Sequence, residues 1–357
     1  MHPKLVVNLE KLKFNIGYLT QKMKEHDLSI TAITKVHSAD KEIVKVFDTF
    51  PDIEYFGDSR IENLITYQHA SKKKILIRIP MSSEVKEVIQ YADISFNSEL
   101  STIKQLNEEA KKQNKTHSVL LMVDLGDLRE GFFQEAELMA TVAKMTEMSH
   151  IKLIGLGTNL TCYGAVLPDE ENLGQLLSYQ AKIEEAFNLK LSMISGGNSS
   201  SLYLLDDSAL TLPTGITNLR IGEAFFSGGE TAHGRQYPEM HDDVFTLQAE
   251  IVELKEKPSF PIGTRGIDAF GQMPTFEDKG DRLRGILAVG RQDVVFDGLS
   301  PLDERLLIVG ASSDHLIVDF TDSLATYCVG DVVEFKLNYG AMLAAFTSKY
   351  VSKSYIE

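Results

Sequence analysis

Between residues 30 and 221 the chain alternates short apolar runs with helical stripes, and this alternation restricts the folds open to it. Apolar runs fall at 30–33, 53–57, 75–79, 94–96, 119–123, 151–156, 191–194 and 219–221. Between them Leu100, Ile103, Leu106 and Ala110, and later Leu173, Leu176, Ile183 and Phe187, recur at the spacing of one helix face. Val119-Leu120-Leu121-Met122-Val123 contains no polar alternate, as expected of a parallel strand buried on both faces. Eight such repeats predict an α/β fold, a (β/α)8 TIM barrel over residues 9–238.

Beyond Pro238 the pattern changes. Runs at 283–289, 306–309, 316–320 and 332–337 alternate with Gly, Pro and Asp turns, and no long helical stripe is found. This predicts an antiparallel β domain over 239–357, to which residues 1–8 could add a strand through Val6 and Val7. Asn8 suits the cap of a first helix striped by Leu9, Leu12, Ile16, Leu19 and Met23.

A formal net charge of −15 disfavours nucleic acid and anionic membrane as partners, since both require a basic patch. No apolar run reaches the ~18 residues of a membrane span. Met1-His2-Pro3-Lys4 begins no secretory signal. Cys162 and Cys328 lie far apart and in no metal-ligand spacing, so they read as reduced thiols. The expectation is a cytoplasmic protein without a metal, acting on a small molecule.

Four polar stretches fall at carboxyl ends of the expected barrel strands, where this architecture builds active sites. The first is Thr34-Lys35-Val36-His37-Ser38-Ala39-Asp40. A lysine desolvated there loses pKa and its free amine can attack a carbonyl; the plainer reading is a strand-end lysine with its head in solvent. The second, Asp124 to Gly131, brings Arg129 and is otherwise a tight loop. The third, Ser195-Gly196-Gly197-Asn198-Ser199-Ser200-Ser201, offers hydroxyls and amides suited to an anion, or simply a turn with a serine cap. The fourth is Arg220-Ile221-Gly222-Glu223-Ala224. Together they describe a phosphorylated carbonyl cofactor over the barrel mouth, and pyridoxal 5'-phosphate meets that description.

In the order and spacing of these stretches the chain resembles the alanine racemase family of fold-type III pyridoxal-phosphate enzymes over nearly its whole length. It is most similar to the ornithine and alanine/ornithine racemase branch, with 34–40 as the lysine motif. The resemblance implies that Lys35 carries the cofactor and acts as base on one face of Cα. It implies that Arg220 faces the pyridine nitrogen, leaving it unprotonated, and that Ser199 with the Gly222 and Glu223 backbone binds the phosphate. Arg129 matches the arginine near the cofactor oxygen and the substrate carboxylate. Ser313 and Asp314 match a stretch that contacts substrate carboxylate across a homodimer with shared sites, and Tyr350 matches a carboxy-terminal phosphate tyrosine.

Three positions depart from the family. Met122 stands where a lysine, often carbamylated, supports the arginine, and Ala39 where a tyrosine follows the lysine motif. Val289-Gly290-Arg291-Gln292-Asp293 stands where the family has its catalytic tyrosine. Arginine, with a pKa above ~12, is a poor base. Either Arg291 binds substrate carboxylate while Asp293, Asp314, His315 or a tyrosine moves the proton, or the reaction differs.

The implied activity is a two-base racemase for a free amino acid, with ornithine, lysine and alanine as candidates. A decarboxylase of the same fold is the first alternative, but its Glu-Pro-Gly-Arg and Cys-Asp-Gly stretches are absent, and Cys328 sits in Tyr-Cys-Val-Gly. A non-catalytic pyridoxal-binding protein and a phosphate-binding barrel with a structural Lys35 are the others. Members of the former kind are usually single barrels.

Overall fold

A computed structural model describes residues 1–206 and 210–357. The chain divides into two compact units, one of residues Lys11–Asp242 and one of Met1–Glu10 with Asp243–Glu357. The first strand, β1 (Lys4–Asn8), belongs to the second unit.

Among the described residues of the first unit, eight parallel strands close a barrel in chain order. They are β2 (Ser29–Ile33), β3 (Ile53–Asp58), β4 (Lys73–Leu76), β5 (Ile94–Asn97), β6 (His117–Val123), β7 (Ile151–Thr158), β8 (Met193–Asn198) and β9 (Asn218–Ile221). Closure comes from β9 pairing with β2, Leu219 opposite Ile30. The interior is filled by Ile75, Ile94, Phe96, Leu120, Met122 and Met193, each fully or nearly buried. Burying an aliphatic or aromatic side chain of this size contributes roughly 1.5–3 kcal/mol. Met122 is thus an apolar wall residue of the barrel. Gly155 lets β7 and β8 close up, since a Cβ there would stand 1.8 Å from the Met193 carbonyl oxygen.

Helices cover the outside, and their starts are written locally. Asp40 accepts the amides of Glu42 at 3.1 Å and Ile43 at 3.2 Å, opening helix Lys41–Asp48. Asp169 and Asn172 form a reciprocal cap on helix Glu170–Phe187, which buries Leu173, Leu176, Tyr179 and Ile183. Phe47 meets Phe225 edge to face at 4.9 Å, joining helix Lys41–Asp48 to the short helix Ala224–Ser227 after β9.

The second unit is a sheet of β10 (Phe245–Pro258), β11 (Asp281–Leu287), β12 (Leu299–Pro301), β13 (Leu307–Ala311), β14 (Leu316–Asp319), β15 (Val332–Leu337) and β16 (Ser352–Ile356). Its main path runs β12-β15-β10-β11-β14-β13, all antiparallel. β1 joins it, antiparallel to β10 and parallel to β16, so the sheet is mostly rather than wholly antiparallel. Where the sequence shows no long helical stripe, this unit carries the short helix Tyr339–Thr347, which buries Ala341, Met342, Ala345 and Phe346. Asn338 starts it by accepting the Ala341 amide at 3.0 Å.

Candidate active site

Lys35 stands two residues beyond β2, half-buried, where the backbone turns through left-handed Ser38 (φ 48°) and Ala39 (φ 56°). The residue before it is anchored: Thr34 Oγ1 donates to Asp58 Oδ2 at 2.5 Å and lies 3.0 Å from the Tyr67 hydroxyl. Asp58, at the end of β3, also accepts the Arg60 amide at 2.9 Å and Asn63 Nδ2 at 3.0 Å. Burial raises the pKa of Asp58, which its donors only partly offset, and burial raises Tyr67 well above the ordinary phenol value.

Ser199 opens a 3₁₀ turn, Ser199–Leu205, immediately after β8. Its Oγ accepts the amides of Gly222 and Ala224, both at 3.3 Å, so the end of β9 is drawn onto the serine loop. Gly197 (φ 114°) makes the turn possible, and a Cβ there would lie 2.5 Å from Ser201 Oγ. Glu223, between the two pinned residues, has its carboxyl pKa raised by burial and lowered by the charge of Lys35. Lys35, Ser199, Gly222 and Glu223 therefore gather at one end of the barrel.

Arg220 lies on β9 and is buried. Its Nη1 donates to Ser195 Oγ at 2.7 Å and its Nη2 to the Thr158 carbonyl at 2.6 Å, and the guanidinium sits 5.4 Å from the Phe96 ring centre. Burial pushes its pKa down to about 10, with Glu130 and Cys162 acting in the opposite sense. It remains a cation at neutral pH.

Arg129 pairs through Nε and Nη2 with both carboxylate oxygens of the adjacent Glu130. Desolvation lowers its pKa, and the Glu130 hydrogen bonds and charge reverse this to a net rise. Asp127, fully buried, accepts the amides of Tyr163 at 3.0 Å and Val166 at 3.2 Å, folding the loop after β7 back over this corner. Arg129, Glu130, Arg220 and exposed Cys162 share one electrostatic neighbourhood.

The other expected residues belong to the sheet unit. Arg291 donates from its amide to the Ser312 carbonyl and from Nε to the Ala311 carbonyl, both at 2.9 Å. Its guanidinium lies 4.4 Å from the Phe270 ring centre and 4.5 Å from that of Phe296. The guanidinium is thus within cation–π range of two aromatic rings. Asp314 accepts from the Ser313 hydroxyl at 3.1 Å and the Ser312 hydroxyl at 3.3 Å; the Ser313 bond, with the His315 charge and the Ser312 bond, lowers its pKa against desolvation. Arg291, Ser313 and Asp314 thus lie on two crossing turns, joined again by the Gln292 amide and the Ser313 carbonyl. Asp293 is buried and committed to the Gly290 amide and the Ser348 hydroxyl. Tyr350 is 59% exposed, with Lys349 Nζ 5.0 Å from its ring centre.

The barrel end fits a polar ligand by a separate criterion. Thr158 Oγ1, Asn159 Nδ2, Ser200 Oγ and Asn97 Oδ1 are buried with no hydrogen-bond partner among the described residues. Thr158 and Asn97 close β7 and β5, Asn159 follows β7, and Ser200 follows β8. Buried polar atoms are nearly always satisfied, so this group has hydrogen-bonding capacity to offer a polar ligand or ordered water. With the Ser199 hydroxyl set against the Gly222 and Ala224 amides, a buried cation at Arg220 and an amine at Lys35, the donor set fits pyridoxal phosphate.

Sequence reading did not single out Asp58, Tyr67, Thr158, Asn159 or Asn218. A signal was present: apolar barrel runs end on polar residues, Thr34, Asp58, Asn97, Asp124, Thr158 and Asn198 among them.

Residues 7–228 match the family model described as alanine racemase, N-terminal domain. The ornithine racemase of Acetoanaerobium sticklandii is 49% identical over 353 residues, 99% of each chain. The lysine racemase of Thermotoga maritima is 34% identical over 358 residues, again 99% of each. Among solved structures, the alanine racemase of Bartonella henselae with covalently bound pyridoxal phosphate superposes with a TM-score of 0.72 at 18% identity, over 99% of each chain. The last establishes a shared fold; the matches in sequence establish more, and the chain belongs to the alanine racemase family.

Proposed function

We propose that the protein is a pyridoxal-phosphate-dependent racemase that inverts Cα of a free amino acid, with ornithine ahead of lysine and alanine. The observation that carries this is the gathering of Lys35, the Ser199 cradle and buried Arg220 at one end of the barrel, lined by polar atoms without partners. The order of substrates rests on the ornithine racemase at 49% identity and the lysine racemase at 34%.

When bound, pyridoxal phosphate supplies a carbonyl for an amine and an electron sink for charge developing at Cα. Lys35 Nζ would anchor it covalently and then take and return a proton on one face of Cα. Ser199 Oγ and the Gly222 and Glu223 backbone would hold the phosphate. Arg220, a cation at neutral pH, would donate to the ring nitrogen and keep it unprotonated. Arg129, already held by Glu130, would orient the substrate carboxylate.

A homodimer is part of the proposal, with Arg291, Ser313 and Asp314 of one subunit completing the site of the other. Arg291, clasped between two rings, would hold the carboxylate. With Asp293 committed to Gly290 and Ser348, the second proton transfer falls to Asp314, His315 or a tyrosine. Tyr350 is retained as a phosphate contact. Unbridged, exposed Cys162 and Cys328 support a reducing compartment, the cytoplasm.

The visible spectrum of the purified protein with added pyridoxal phosphate tests the cofactor assignment. A protein-bound chromophore lost in Lys35→Ala is expected. No visible absorbance in the wild type would overturn it, and release of CO2 from the amino acid would move the reading to a decarboxylase.

A further inference from the structure

The carboxylates around the barrel mouth differ in what they have left to give. Glu130 is paired with Arg129, Asp58 is closed by Thr34, Arg60 and Asn63, and Asp127 holds the loop amides of Tyr163 and Val166. Glu223 is different. Its backbone is pinned on either side, because Ser199 Oγ accepts the amides of Gly222 and Ala224. Gly222 abuts the end of β2, where a Cβ on it would stand 3.1 Å from Ile33 Cβ, and Lys35 follows two residues later. The Glu223 side chain is half-buried, within reach of the Lys35 charge. Among the described residues no salt bridge and no side-chain hydrogen bond reaches its carboxylate; only burial and the charge of Lys35 act on it. A desolvated carboxylate without a donor is costly, and the cost disappears when a cation with hydrogen-bond donors enters beside it.

We propose that Glu223 is a specificity-determining residue that binds the side-chain ammonium of a dibasic amino acid substrate. The inference rests on the racemase reading above and deepens it. The expected substrate carries a positive charge at the end of its side chain, and the site should discriminate against an uncharged side chain of equal length.

The test compares L-ornithine with L-norleucine, in which a methyl group replaces the terminal ammonium. Rates of α-proton exchange in D2O are measured with wild-type and Glu223→Gln holoenzyme, together with the rise in Tm that each amino acid gives. The ornithine-to-norleucine ratio of kcat/KM should fall at least about tenfold in the variant, and the ornithine-induced rise in Tm should shrink. A ratio within about twofold of the wild type, whatever the absolute rates, overturns the role of Glu223 and leaves the racemase reading standing. Exchange of neither amino acid by wild-type holoenzyme overturns both. Glu223→Asp gives a second arm if the glutamine variant fails to fold. The shorter carboxylate should shift preference from ornithine toward the longer lysine, and an unchanged lysine-to-ornithine ratio contradicts the assignment.

Discussion

Arg220 Nη1 lies 2.7 Å from Ser195 Oγ, a contact that ties a buried guanidinium to the neighbouring strand of the barrel. Ser195 passes the bond on to Asn218 Oδ1 at 2.9 Å, and Asn218 Nδ2 donates to Ser29 Oγ at 3.0 Å and Thr31 Oγ1 at 3.1 Å. The cation is thus fixed by neutral oxygens, none of which neutralises it. That arrangement keeps its charge available to a ligand while positioning it from below.

Ser195→Ala should leave Nη1 of Arg220 and Oδ1 of Asn218 buried and short of a partner. A hydrogen bond to a charged group contributes about 1.5–3 kcal/mol, so a loss of that order is expected in urea unfolding. Pyridoxal phosphate affinity, read by absorbance titration, should fall as well, because Arg220 is no longer oriented.

Asp58 gives a pH signature. Burial raises its folded pKa above the ordinary aspartate value of 3.8, so the folded chain keeps a proton where the unfolded chain has lost it. Its contribution to stability therefore falls as pH rises from 3.8 through the folded value. Asp58→Asn has no such titration. The stability of the variant relative to wild type should rise across that window in denaturant titrations; a difference flat with pH would contradict the assignment.

Thr158→Val separates folding from ligand binding. The hydroxyl of Thr158 is buried without a partner, so an isosteric apolar replacement should leave the ligand-free protein equally stable or up to about 1 kcal/mol more stable. The same change should reduce the rise in Tm produced by pyridoxal phosphate. Loss of stability without ligand would show that the hydroxyl already has a protein partner.

In the sheet unit, Gly290→Ala should part the turns that carry Arg291 and Asp314. The added Cβ would fall 2.4 Å from the Asp314 amide nitrogen, too close for any rearrangement short of a backbone shift. Faster hydrogen exchange at the Arg291 and Gln292 amides, whose acceptors are the Ser312 and Ser313 carbonyls, is the expected readout.

The barrel was legible in the sequence because each parallel strand, buried on both faces, must be an unbroken apolar run, as at 119–123. Ends were less legible. Strand β8, the seventh of the barrel, runs on through Gly196, Gly197 and Asn198, where close approach to Ile216 and Ser201 rather than apolar character shapes the chain. Helix Tyr339–Thr347 escaped notice because Ala341-Met342-Leu343-Ala344-Ala345-Phe346 is apolar on every side and shows no stripe. Candidate site residues at glycine-rich or arginine-bearing strand ends could be named. The Thr34–Asp58–Tyr67 network could not, since its members come together only when β2 and β3 pair. Nor does sequence distinguish a carboxylate already committed, such as Glu130, from Glu223, whose carboxylate has no salt bridge or side-chain hydrogen bond among the described residues.

The central claim is tested most directly by incubating the holoenzyme with pure L-ornithine in D2O and following the product by chiral chromatography and mass spectrometry. The account predicts D-ornithine carrying deuterium at Cα, approach to an equal mixture of enantiomers, and no reaction with Lys35→Ala. L-ornithine recovered unchanged, without deuterium, from protein carrying its full complement of pyridoxal phosphate would contradict the assignment of ornithine. The same result with L-lysine and L-alanine would contradict racemisation itself.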